Sequence, residues 1–175
     1  MNELCKLVTV SSLATSLAMF AGCSTSAPPV ASGPSAEGAS YLLAAEPVTA
    51  KGVKDVRADA KDADDVTLIG RIGGDEKPWV EGQAAFVIVD SSLKPCNERP
   101  GDNCPSPWDY CCDADELPKS KVMIKIVDAA GKTVATDARK LLGLKELQTV
   151  VVRGKAKRDE AGNLTVLADG IFVRK

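Results

Sequence analysis

Short runs of β-forming residues dominate the chain from Val66 onward and most limit the folds that are open to it. They cover residues 66–72, 84–90, 122–127, 149–156 and 164–173. Turn-forming residues such as Gly, Asp and Asn bound the runs, which are too short for typical helices and are typical of strands. Between the third and fourth runs, residues 137–147 place leucines at helical spacing behind Asp137, a suitable N-cap. The sequence therefore predicts an all-β domain with one short helix.

The order of these elements resembles that of the OB-fold, a five-stranded Greek-key barrel with a helix between strands three and four. The resemblance covers residues 66–175 except for residues 91–120, which we interpret as a Cys-rich insertion between strands two and three. It implies an OB-like barrel. An unrelated small antiparallel sandwich is the alternative.

The N-terminus carries an uncharged apolar stretch, residues 7–21, preceded by Lys6. A membrane-spanning helix needs about 20 apolar residues, so this stretch is more typical of a secretory signal. It ends in FAGC at residues 20–23, which resembles the lipobox of bacterial lipoproteins. The resemblance implies a signal peptide over residues 1–22, lipidation of Cys23, and a membrane-anchored protein of the cell envelope. An ordinary secretory signal cut after Ala27 is the alternative.

The segment that follows Cys23 has the composition of a linker. Residues 24–40 consist mostly of Ser, Ala, Pro and Gly, and cannot bury enough apolar surface to offset their chain entropy. In residues 41–65, Leu42, Leu43 and Val48 could add a short element, while residues 51–65 are charged and Ala-rich, with room for a helical turn. We therefore expect residues 23–65 to form a lipidated flexible tether, and the domain to begin at Val66.

The insertion holds every cysteine of the predicted domain: Cys96, Cys104, Cys111 and Cys112. In an oxidising compartment this pattern predicts two disulfides. A bond between the adjacent cysteines would be strained, so Cys96 and Cys104 would each join one of them. The alternative is a metal-binding or redox protein that uses the four thiols, although the C-x2-C knuckle common in zinc sites is missing. The sequence predicts no particular cofactor or metal.

Three aromatic residues fall in predicted loops: Trp79, Trp108 and Tyr110. Aromatic side chains on OB-fold loops can form a binding surface. More often, such side chains pin a disulfide-rich loop to the barrel beneath it.

Catalysis is not expected from this sequence. The chain has no histidine, which excludes a Ser-His-Asp triad and His-based catalytic zinc sites. Loop carboxylates could serve a hydrolase, but such groups are usually solvated charge. The candidates are Asp90, Glu98, Asp109, Asp113 and Asp115.

These features together predict a membrane-anchored extracytoplasmic binding or adaptor module that acts without catalysis. Its partner would be an envelope protein or a glycan. Nucleic acid is not expected as a partner, because the formal net charge is -2 and Phe86 alone offers a stacking platform on strands two and three.

Overall fold

The structure, a computed structural model, describes residues 33–175. Its strands are β1 (Lys51–Gly52), β2 (Asp65–Ile72), β3 (Ala85–Val89), β4 (Lys121–Ile126), β5 (Thr149–Arg158) and β6 (Leu164–Val173). Its α-helices are α1 (Val53–Asp59), α2 (Leu117–Ser120) and α3 (Ala138–Leu142). Single 3-10 turns cover Gly38–Tyr41, Cys96–Glu98 and Cys111–Asp113. The five predicted strands are found within two residues of their expected bounds, and the predicted helix is shorter than expected.

The five long strands close into a barrel in the order β2, β3, β4, β6, β5, with β5 returning to pair with β2. The β4–β6 pair is parallel, and the other barrel pairs are antiparallel. The helix α3 lies between the third and fourth of these strands along the chain. The predicted all-β, OB-fold-like barrel is therefore confirmed.

The barrel interior follows from alternation along each strand. In β4, Val122, Ile124 and Ile126 point inward and are at most 1% exposed. Full burial of such a side chain stabilises a fold by about 1.5–3 kcal/mol. The helix α3 adds Leu141 and Leu142 to the same core, and it begins where the Asp137 carboxylate accepts a bond from the Arg139 amide. The apolar core thus extends from the strands to α3.

The segment before β2 differs from its prediction. Ser35 donates its amide hydrogen to the Leu141 carbonyl at 2.9 Å, and β1 pairs with β2 in parallel. In α1, Val53 and Val56 are 0% and 3% exposed and belong to the core. The flexible tether predicted over residues 23–65 is therefore wrong for residues 35–65, because apolar side chains at helical spacing attach this segment to the barrel. Cys23, the signal peptide and the rest of the predicted tether lie outside the described residues.

Asp90, at the end of β3, links α1 to the barrel. One carboxylate oxygen accepts the Lys54 amide and the other accepts the Ser92 amide, both at 2.9 Å. Burial alone would raise the pKa of Asp90, but these amide bonds outweigh it and lower the pKa. Asp90 therefore caps the first turn of a helix from another part of the chain. Within residues 33–175, no helix has the length and apolar character needed to cross a bilayer.

Candidate metal centre

The insertion leaves the barrel after β3 and returns at β4, and the Asp90 amide bonds to the Ser120 carbonyl at 2.7 Å across its base. Within residues 91–119 only Pro95, Cys96 and Tyr110 are buried. A segment of this length with so few buried side chains cannot be held by an apolar core of its own. Other contacts must therefore order it.

One such contact is with the loop between β2 and β3. The Trp108 carbonyl accepts the Gly74 amide at 2.7 Å, and the Trp108 indole donates to the Glu76 carbonyl at 3.1 Å. A Cβ at Gly73 would lie only 2.4 Å from the Trp108 carbonyl oxygen, so the close approach depends on a glycine. Residues 107–110 are thereby held against this loop.

Tyr110 anchors the insertion. Its side chain is 1% exposed, and its hydroxyl has no hydrogen-bond partner among residues 33–175. Burial raises the pKa of Tyr110 to about 12, although the charge of nearby Arg71 opposes the shift. Its backbone is left-handed, with φ at 57°, an unusual conformation for a residue other than glycine. This turn sends the ring into the protein while its two neighbours face the cysteine cluster.

The predicted aromatic binding surface is only partly exposed. Trp79 is 9% exposed, lies 5.7 Å from Phe86 between ring centroids, and donates to Glu146 at 2.5 Å. Arg139 covers its ring at 5.6 Å. Trp79 and Tyr110 are therefore packing residues, which was the alternative interpretation, and Trp108 is half-buried.

The four cysteines of the insertion are free thiols. The Cys111 sulfur lies 3.6 Å from that of Cys96 and 3.8 Å from that of Cys104, whereas a disulfide measures about 2.05 Å. The predicted disulfides are therefore not formed. The physical reason is that the sulfur atoms of Cys96 and Cys104 both approach that of Cys111, at distances longer than a covalent bond, so they do not form separate bonded pairs.

Asp109 completes this group. One of its oxygens lies 3.7 Å from the Cys96 sulfur and 3.8 Å from the Cys104 sulfur. The four ligand atoms of Cys96, Cys104, Asp109 and Cys111 all lie within 4.8 Å of one another. We call these four residues the inner cluster. Cys96 is buried at its base, and Cys111 is exposed at its outer side.

Two sulfur–sulfur edges of the inner cluster have the length expected in a tetrahedral site. Zn–S bonds of about 2.3 Å place the sulfur atoms of a tetrahedral zinc site about 3.8 Å apart. The measured sulfur–sulfur distances of 3.6 and 3.8 Å match that edge. The residues present therefore fit a four-coordinate ion of this size.

A repeated D-x-C motif positions the carboxylates. Asp102 accepts the amide of Cys104, and Asp109 accepts the amide of Cys111, each at 2.9 Å. In both cases one carboxylate oxygen holds the turn, which fixes the carboxylate beside the sulfur atoms. The sequence interpretation missed both aspartates as ligands, although the repeat at 102–104 and 109–111 was a usable signal.

Cys112 belongs to a second group. Its sulfur lies 3.3 Å from an Asp102 oxygen, and Cys96, Asp102 and Cys112 also have ligand atoms within 4.8 Å of one another. We call these three residues the outer cluster. Cys96 is common to both clusters.

The electrostatics of the clusters favour a cation. Hydrogen bonds with Cys96, Cys104 and Asp109 raise the pKa of Cys111, and a hydrogen bond with Asp102 raises that of Cys112. Thiolates and carboxylates crowded together repel each other, so without a cation these thiols keep their protons. A bound metal ion would displace those protons.

The remaining carboxylate candidates have structural partners or face solvent. Glu98 bonds to Arg71 at 2.6 Å, and Asp113 bonds to Arg99. Asp115 is exposed. These contacts hold the insertion against β2 and against itself.

Comparison with known proteins assigns no family: no family model matches the sequence, and no curated protein matches it either. The function of the clusters therefore has to be inferred from their chemistry and geometry.

Proposed function

We propose that this chain is a metal-binding OB-like protein that holds one divalent ion, of which Zn²⁺ fits best, in the inner cluster. The observation that supports this most directly is the spacing of the Cys96, Cys104 and Cys111 sulfur atoms at 3.6 and 3.8 Å. That spacing is wrong for disulfides and right for thiolates around one ion.

The ligand set favours zinc over the hard cations. Thiolates prefer zinc, copper or iron, whereas magnesium and calcium take oxygen ligands. Three thiolates and one carboxylate also fill all four tetrahedral positions from the protein. A closed site of this kind is structural, because catalytic zinc keeps one position open for water or substrate.

The structural role suits the insertion. Its few buried side chains leave it short of apolar contacts, and an ion bound by residues 96, 104, 109 and 111 would join its two halves. The ion would then keep Tyr110 and Trp108 seated against the barrel. In this respect it would resemble the ion of small zinc domains, where metal binding supplies folding free energy.

The test is metal content measured by inductively coupled plasma mass spectrometry on the full chain and two variants. Cys104→Ser removes a ligand of the inner cluster only, and we expect it to lose the ion of that cluster. Cys112→Ser is the matched control, since it makes the same substitution at a cysteine of the insertion that lies outside the inner cluster. We expect it to keep that ion.

Two results would contradict the proposal. One is wild-type protein without metal whose intact mass shows two disulfides. The other is equal metal content in the wild type and Cys104→Ser. Circular dichroism of each variant would show whether the barrel has kept its strands.

We also propose, from the N-terminal sequence, that the protein is lipid-anchored at Cys23 in the cell envelope, where the metal-ordered insertion is presented to a protein or glycan. Lipidation would supply the anchoring that the short apolar stretch at 7–21 cannot. Cys23→Ala should move the protein from the membrane fraction to the soluble fraction. Equal membrane retention would contradict the anchor without affecting the metal proposal.

A further inference from the structure

The outer cluster remains after the inner cluster is assigned. Cys112 and Asp102 take no part in the tetrahedral group, yet their ligand atoms lie 3.3 Å apart beside the Cys96 sulfur. One oxygen of Asp102 holds the turn at Cys104, but that role requires neither its second oxygen nor the Cys112 side chain to point there. The question is what this second arrangement binds.

The outer cluster repeats the construction of the inner one. In each, an aspartate uses one oxygen to accept the amide of the cysteine two residues later. In Asp102 the other oxygen is directed to the Cys112 sulfur. The two D-x-C motifs thus each direct a carboxylate toward the same buried thiol, Cys96.

The position of Cys96 allows it to serve both groups. It is 0% exposed, whereas Cys111 and Cys112 are exposed on the outer side. A thiolate has several lone pairs and can bridge two metal ions, and paired ions in proteins lie about 3.5–4 Å apart. A bridging Cys96 would keep both ions close to the base of the insertion.

The charges also favour two ions. The two clusters together contain four thiols and two carboxylates. With all six deprotonated, one divalent ion leaves a net charge of about -4, and two leave about -2, before Arg99 is counted. Arg99 bonds to Asp113 and interacts favourably with the negative charges of Cys112 and Cys96.

We infer that a second divalent cation, of the same class as the first, binds to Cys96, Asp102 and Cys112, with the Cys96 thiolate bridging the two ions. This inference rests on the proposed function of the inner cluster. The second ion has three protein ligands, so its fourth position is open to water or to another small ligand. It is the exchangeable ion of the pair, because Cys112 is exposed and Asp102 only half-buried.

The first experiment counts ions. Native mass spectrometry of the full chain loaded with Zn²⁺ should give two ions per chain for the wild type and one for Cys112→Ser. Asp102→Asn should also give one. Circular dichroism serves as the folding control for each variant.

The outcomes separate the two proposals. One ion in both the wild type and Cys112→Ser would overturn the second ion and leave the inner cluster intact. No ion in the wild type would overturn both. Two ions in Cys112→Ser would also overturn the outer cluster as the second site.

The second experiment tests the bridge with Co²⁺ in place of Zn²⁺. Two Co²⁺ ions that share a thiolate couple magnetically. The electron paramagnetic resonance signal should therefore grow with the first equivalent and weaken with the second. In Cys112→Ser it should grow and then stay constant. A wild-type signal that doubles with the second equivalent would show two separate ions and overturn the bridging role of Cys96.

Discussion

The barrel and the insertion are stabilised in different ways. In the barrel, side chains such as Leu68, Phe86 and Ile124 are 0% exposed, and each adds to one continuous core. In residues 91–119 only three residues are buried, and the segment is held mainly by polar contacts to the barrel. The barrel therefore distributes its stability over many side chains, whereas the insertion concentrates it on a few atoms.

Because of this difference, mutations in the two regions should have different effects on stability. A core side chain in the barrel can be shortened at a graded cost, since its neighbours still pack. A ligand of the ion proposed for the inner cluster has no such neighbours, and losing it would remove the cross-link outright.

The largest loss of stability should come from truncating a side chain of the barrel core. Phe86→Ala removes a fully buried ring that also contacts Trp79. We expect the free energy of unfolding in urea to fall by about 3–5 kcal/mol. Val48→Ala is the control, because Val48 is 98% exposed and its truncation should change stability by less than about 0.5 kcal/mol. A loss below about 1 kcal/mol for Phe86→Ala would contradict the barrel core.

If the inner cluster holds the proposed ion, removing the metal should unfold the insertion and leave the barrel folded. After chelation we expect exchange of the Cys96 and Cys111 amide hydrogens to accelerate at least about a hundredfold, or about 2.7 kcal/mol of local opening free energy. Hydrogen-exchange mass spectrometry reports both regions in one experiment. The Ile126 amide, which bonds to Ala84 at 2.8 Å, should keep its protection. Equal loss of protection in both regions would show that they unfold as one unit.

Asp90 offers a smaller test at the boundary between the regions. Asp90→Asn leaves one oxygen to serve two amides, so we expect a loss of about 1–3 kcal/mol at neutral pH. The native pKa of Asp90 is lowered, so its contribution is present above about pH 4 and is lost as the pH falls through the native pKa. Asp90→Asn should therefore flatten the acid side of the stability profile. Asp115→Asn, at an exposed carboxylate, should leave it unchanged.

The smallest expected effect is an increase in the stability of the insertion. Tyr110→Phe keeps the buried ring and removes a hydroxyl that has no partner among residues 33–175. Because a buried unpaired donor costs free energy, we expect the insertion to be stabilised by up to about 1 kcal/mol, seen as slower exchange of the Cys111 amide. Faster exchange in Tyr110→Phe would mean that the hydroxyl makes a favourable contact.

The sequence predicted the barrel well because its signals are local. Alternation of apolar residues and clear turn residues mark β2 to β6, and the Leu-rich helix behind Asp137 lies where an OB-fold needs one. The segment 35–65 was missed for the opposite reason. Its strand β1 is two residues long, and α1 is capped by Asp90 from elsewhere in the chain, so neither has a strong local signal.

The sequence predicted the cysteines of the candidate site but not its aspartates or its unbonded thiols. The four cysteines were identified as one cluster, but the disulfide prediction relied on the compartment and ignored the D-x-C repeat. The convergence of Asp109 and Cys111 depends on a left-handed turn at Tyr110, a residue type that gives no such signal. Only the folded chain brings the aspartates and thiols together.

If the protein carries the lipid anchor proposed at Cys23, the contact between Ser35 and Leu141 limits how far the domain can stand from the membrane. Both the amide and the hydroxyl of Ser35 donate to that carbonyl, at 2.9 and 3.1 Å, so the chain joins the barrel there. With a lipid at Cys23, residues 23–34 reach at most about 40 Å when fully extended, against about 140 Å for a free segment over 23–65. Any partner of the insertion would therefore have to come close to the surface of the membrane that holds the lipid.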